Sequence, residues 1–183
     1  MPIRNGRGAP SWPEASKNYM AVYEFHKQLR KGKRAEKLFQ KYFKLDGEEL
    51  LDTDTRDYDF TTATSRKVEL KTDFYTSDNF YIEYSFGERG DKPGSLWQSH
   101  SKGVDTFIFW FPKLGKAFIF KDLAATIKYI ESYIKDMNLT PIIVQNKGFY
   151  GVGYKIPRVA FQHLYEEVEL EVPSEELSDC LQC

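Results

Sequence analysis

Asp59, Glu69 and Lys71 are the residues of this 183-residue chain whose types and spacing could do chemistry together. In "RKVELKTDF", residues 66–74, Val68, Leu70 and Thr72 alternate with Glu69, Lys71 and Asp73. A strand there is largely apolar on one face and sets a carboxylate beside an ammonium on the other. Same-face neighbours on a strand stand about 6.5–7 Å apart, so Glu69 and Lys71 can address one phosphate. If residues 63–65 form a turn with an odd number of residues, parity places Asp59 opposite Glu69 and Asp57 opposite Lys71. Adjacent carboxylates repel unless something positive intervenes. Magnesium suits such a pair, because it is hard, prefers oxygen and usually takes one or two carboxylates with water and phosphate. The same ion can activate a water for in-line attack and offset charge on the departing oxygen. Lys71 would then position that water and stabilise the phosphoryl charge.

The elements that must hold these groups follow from periodicity. Residues 1–15, rich in Gly, Pro and Arg, read as an arm that includes Arg4 and Arg7. Loose helical spacing covers residues 16–29, and Gly32 interrupts it. A second helix over 33–44 turns Leu38, Phe39, Tyr42 and Phe43 inward, keeps its lysines outside and carries Glu36 in its first turn. The acidic stretch "LDGEELLDTDTRD" reads as a loop leading to three strands at 57–62, 67–73 and 79–85. On the third, Phe80, Ile82 and Tyr84 share one side and leave Glu83 on the other, facing the same groove if the strands adjoin.

Further along, "LWQSHSKG" reads as one or two helical turns carrying Gln98 and Lys102. "VDTFIFWF" and "KAFIF" read as strands, the first apolar on both sides and therefore central. Asp122 can cap a helix running to about residue 137. A loop, "NKGFYGVGYKIP", then precedes a short helix from Pro157. The expected organisation is an arm (1–15), one α/β domain (16–166) and an acidic tail (167–183) that stays loose.

The formal charge of −1 excludes a globally basic surface but hides strong segregation. Residues 27–44 hold eight Lys or Arg against one acid, Glu36, whereas residues 166–183 hold seven acids and no Lys or Arg. The basic run could neutralise phosphates, and no base-reading motif accompanies it, which favours recognition of backbone or shape. Cys180 and Cys183 make at most half a zinc site and read as exposed thiols on the tail. With no signal-peptide core and no apolar run long enough for a membrane span, the chain is expected to be intracellular, cytoplasmic and soluble, with no membrane partner.

Asp59 followed, after nine residues, by Glu69-Leu70-Lys71 resembles the PD-(D/E)XK nuclease superfamily. The upstream "GKRAEKLFQKYF" is similar to that superfamily's first core helix, with Glu36 as a further acid. The arrangement is most like phage-type endonucleases and Holliday-junction resolvases, and it covers residues 33–111. Tyr58 stands where a proline usually precedes the first acid, and Asp57, which shares the parity of Asp59, remains an alternative metal ligand. The resemblance implies a restriction-endonuclease-like core, a central mixed β-sheet flanked by α-helices. It implies Mg2+-dependent hydrolysis of DNA, with Mn2+ able to substitute, in recombination or repair. Glu36, Asp59, Glu69 and Lys71 would be catalytic. Asp59, Glu69, Glu36 and Glu83 would supply metal ligands. Lys33, Arg34, Lys37, Gln98 and Lys102 would contact DNA, and a homodimer is compatible with it. A non-catalytic DNA-binding module of the same fold and a restriction-type endonuclease are the competing readings.

Overall fold

A computed structural model describes residues 25–88, 90–146 and 149–181. The arm at 1–15, with Arg4 and Arg7, lies outside these residues, as do Cys183 and most of the helix expected from residue 16. The first described element, α1 (Phe25–Tyr42), runs unbroken through Gly32, so that glycine does not separate residues 25–29 from the helix expected after it. Glycine costs a helix about 1 kcal/mol relative to alanine. Burial of Leu38, Phe39 and Phe43 against the sheet contributes about 1.5–3 kcal/mol per side chain and outweighs that cost.

The acidic stretch after α1 is not wholly a loop. It holds the short strands β1 (Lys44–Leu45), β2 (Glu48–Glu49) and β3 (Leu51–Asp52). Next come β4 (Phe60–Thr61), β5 (Lys67–Thr72), β6 (Asn79–Gly87), β7 (Lys92–Pro93) and α2 (Ser95–Ser101). The chain continues through β8 (Thr106–Phe111), β9 (Lys116–Phe120) and α3 (Leu123–Asp136), which Asp122 caps by accepting the Ala125 N–H at 2.9 Å. The glycine-rich stretch expected as a loop is a hairpin of β10 (Ile142–Asn146) and β11 (Phe149–Pro157). A 3-10 turn at Arg158–Phe161 replaces the short helix expected after Pro157. Last are β12 (Glu166–Glu169) and α4 (Ser174–Leu181).

The fold is α/β, with a central mixed six-stranded sheet in the order β12-β9-β8-β5-β4-β3. β5 and β8 pair in parallel, with Glu69 level with Phe107 and Lys71 with Phe109, and the other neighbours in this sheet are antiparallel. As expected for a central strand, every residue of β8 is buried. Its alternate residues serve two cores. Ile108 and Trp110 pack with Val68 and Leu70 of β5 against α1, whereas Phe107, Phe109 and Phe111 pack with Phe80 of β6, Leu96 of α2 and Ile127 of α3. β6 belongs to a second, antiparallel sheet, β10-β11-β6-β7, and so does not lie beside β5.

The acidic end is folded, contrary to the expectation of a loose tail. β12 pairs with β9, Leu170 and Cys180 are buried in the core beneath α1, and Glu176 of α4 bonds Lys41 at 2.8 Å and the Tyr42 hydroxyl. Charge composition suggested disorder, but Val168, Leu170, Leu177 and Cys180 supply an apolar face that outweighs it. Among the described residues, no helix is long and apolar enough to cross a membrane.

Candidate functional site

The hairpin of β4 and β5 has the register that parity predicts. Phe60 pairs with Val68 and Thr61 with Lys67, the register that would carry Asp59 towards Glu69, but the paired ladder ends at Phe60. The strand is shorter than expected, because residues 57–59 fall outside β4. The Asp59 N–H still reaches the Val68 carbonyl at 3.1 Å, and its carboxylate accepts the Leu70 N–H at 2.8 Å. A side chain thus takes the place of the strand carbonyl that β4 no longer supplies, which fixes the carboxylate at the open edge of β5. Arg66, in the same hairpin, ties it to the β1–β2 turn through Asp46 at 2.6 Å and Glu48 at 2.7 Å. Two further bonds from residue 64 to Glu48 hold that carboxyl down at about 2, the Thr64 backbone N–H being the larger influence.

Three carboxylates line this edge. Asp59 and Glu69 are half-buried, and Glu36 on α1 is equally so. Burial pushes all three carboxyls up from their ordinary range, and it is the largest cause for each. Repulsion from Asp59 adds to the rise at both Glu36 and Glu69, whereas the Leu70 N–H partly restrains Asp59. Glu69 is pushed up to about 8, with the positive charges of Lys102 and Lys71 opposing and Glu36 reinforcing the shift. These mutual influences place Glu36, Asp59, Glu69, Lys71 and Lys102 in one electrostatic cluster. Lys33 acts on Glu36 from the same helix.

Lys102 arrives from α2, which the sequence also placed correctly. The helix ends in a left-handed glycine motif: the Gly103 N–H bonds the His100 carbonyl, the Val104 N–H bonds the Ser99 carbonyl, and Gly103 has φ +68°. Asp105 then clips this end to the start of β5, donating its N–H to the Lys67 carbonyl at 3.0 Å and accepting the Lys67 N–H on its carboxylate at 2.8 Å. The other end of α2 is pressed against β6 at Gly94, where a Cβ would stand 1.7 Å from the Glu83 carbonyl oxygen. Gly94→Ala must therefore drive backbone from backbone, and a loss of about 2–3 kcal/mol is expected in denaturant unfolding.

Of the other expected site residues, Glu83 lies in the second sheet, with its carbonyl against α2 rather than on a strand next to β5. Gln98 donates its side-chain amide to the Pro93 carbonyl at 2.8 Å and so helps seat α2. Lys33, Arg34 and Lys37 are on the exposed side of α1. Asp105 and the Arg66–Glu48 pair escaped the sequence reading, since their partners are 38 and 18 residues away and no local spacing marks them.

Asp59 and Glu69 are the side chains suited to a divalent cation: two neighbouring carboxylates, partly desolvated and mutually repelling. Among the described residues no three Asp, Glu, His or Cys side chains converge into a ready metal cage. Compared with models of known protein families, characterised proteins and solved structures, the chain shows no match.

Proposed function

We propose that this protein is a magnesium-dependent deoxyribonuclease of the PD-(D/E)XK type, acting as an endonuclease on structured DNA. The observation that carries the reading is the approach of Asp59 to Glu69 at the end of the β4–β5 hairpin, where the Asp59 carboxylate accepts the Leu70 N–H, with Lys71 on the same face of β5 as Glu69. Further support comes from the helix-flanked mixed sheet and from Glu36 approaching Asp59 off α1.

Asp59 and Glu69 would hold the cation, with Glu36 acting on it or on its waters. When bound, Mg2+ supplies charge neutralisation at the phosphate and lowers the pKa of attacking water. Lys71 offers its ammonium to that water and to the phosphoryl oxygens from the same strand face as Glu69. Asp59 is held rigid by the Leu70 N–H, so its carboxylate needs little rearrangement to serve as ligand. Lys33, Arg34 and Lys37 extend positive charge along α1 for the DNA backbone, which makes binding fall steeply with salt.

The experiment is a cleavage panel of plasmid, nicked, branched and single-stranded DNA with Mg2+, Mn2+ or EDTA. Metal-dependent cutting that Lys71→Ala removes is the expected result. A wild type that cuts none of them, or a Lys71→Ala variant that cuts equally well, overturns the assignment. Binding without cleavage, unaffected by EDTA, would leave a DNA-binding module. A discrete band pattern on long DNA would point to a restriction-type enzyme.

A further inference from the structure

We propose that Asp57 is a positioning residue: it holds Lys102 beside the Asp59–Glu69 pair as a second ammonium for the substrate's phosphate, and it is not a metal ligand. This rests on the nuclease reading above. Lys102 Nζ lies 3.2 Å from Asp57 Oδ1. Both ends of that contact are built. The glycine motif and the Asp105 clip place the Lys102 backbone, while two successive side-chain turns shape the segment that presents Asp57. In these the Thr55 N–H bonds Thr53 Oγ1 at 3.3 Å, and the Asp57 N–H bonds Thr55 Oγ1 at 3.1 Å. The residues before Phe60 thereby leave the strand path, and Asp57 meets the end of α2 instead of continuing the ladder with β5.

An ion pair this open, with side chains 36% and 60% exposed, does little for stability. Its effect is directional. A lysine on a flexible stem that is tethered at its tip presents its charge at one place, and Asp57, two residues before Asp59, sets that place next to the carboxylates. Two ammoniums therefore reach the carboxylate edge from different elements, Lys71 from β5 and Lys102 from the end of α2. A phosphodiester's non-bridging oxygens are the ligand that such a pair of point charges fits.

Asp57→Asn, Lys102→Met and the double variant test this. DNA binding is measured in EDTA across a salt series, cleavage as KM and kcat, and Mn2+ binding by titration without DNA. Removing an acid near a polyanion should by itself tighten DNA binding. The proposal requires the opposite: Asp57→Asn weakens DNA binding and raises KM about fivefold, with kcat changed less and Mn2+ affinity unchanged. Lys102→Met lowers the salt slope by about one, and the double variant is no worse than Lys102→Met alone. Asp57→Asn that binds DNA as well as or better than wild type, or that loses Mn2+ affinity, overturns the proposal while leaving the nuclease reading intact. A wild type that binds but never cuts, with Asp57→Asn still weakening binding, sinks the nuclease reading and keeps the Asp57–Lys102 assignment.

Discussion

Glu69→Gln is expected to reduce Mg2+-dependent DNA cleavage at least about a hundredfold and, above pH 8, to make the protein more stable. The two effects share a cause. In the folded protein burial, with Asp59 beside it, pushes the Glu69 carboxyl up to about 8 from an ordinary value of 4.5. Between those two values the folded state keeps a proton that the unfolded chain has lost, so stability falls as pH rises through the window. Above it the full penalty of a desolvated charge beside Asp59 is present. Glutamine keeps the shape and removes the charge. Thermal melting at pH 8.5 should show a gain on the order of 2–3 kcal/mol, or roughly 4–10 °C, and little change at pH 5, where Glu69 is already protonated. Added Mg2+ should raise the melting temperature of wild type at pH 8.5 and leave the glutamine variant nearly unmoved, since a ligand stabilises only the state that binds it. A variant less stable than wild type at high pH would show that the carboxylate is well accommodated and would remove the electrostatic argument for a cation.

Phe80→Ala should be the most damaging single truncation in the core, costing about 3–5 kcal/mol in urea unfolding. Phe80 is fully buried on β6, and its ring centroid lies between 4.9 and 5.9 Å from those of Phe109, Phe111, Phe118, Phe120, Phe161 and Tyr165. Four of these partners belong to β8 and β9, so one side chain of the second sheet fills the face of the first. Tilted and edge-on ring contacts of this kind add about 0.5–1.5 kcal/mol per pair beyond area burial. The effect should reach the site, because β6 also seats the start of α2 through the Tyr84 carbonyl and Gly94 N–H at 2.8 Å. A loss below about 1 kcal/mol would mean that the two sheets do not pack around this ring.

Short-range pattern carried the β4–β5 hairpin. The period of two on β5 and the three-residue spacing of the turn were enough to give the hairpin's register and to bring Asp59 near Glu69, and continuous apolar character was enough to place β8 at the centre. The helix capped by Asp122 and the short helix before Lys102 were legible for the same reason, as each is announced within a few residues. What escaped depends on distant partners. Gly32 signals a break that packing of Phe39 against Trp110 overrides, with ring centroids 5.3 Å apart. The strand after β5 looked like its neighbour, yet a parallel partner, β8, takes that edge from 38 residues further on and sends β6 to another sheet. The acidic end looked soluble because seven carboxylates obscure the few apolar residues that face α1.

The clasp between α1 and α4 has a temporal side. Lys41 and Glu176 are 135 residues apart, and Cys180 enters the core beneath α1 still later in the chain. A polypeptide leaving the ribosome therefore makes its β4–β5 hairpin long before the last segment of its hydrophobic floor exists. Synthesis halted before residue 174 would yield a body with an uncovered greasy seam under its most basic helix, prone to clump and easily digested, so unfinished copies would be removed before they could act.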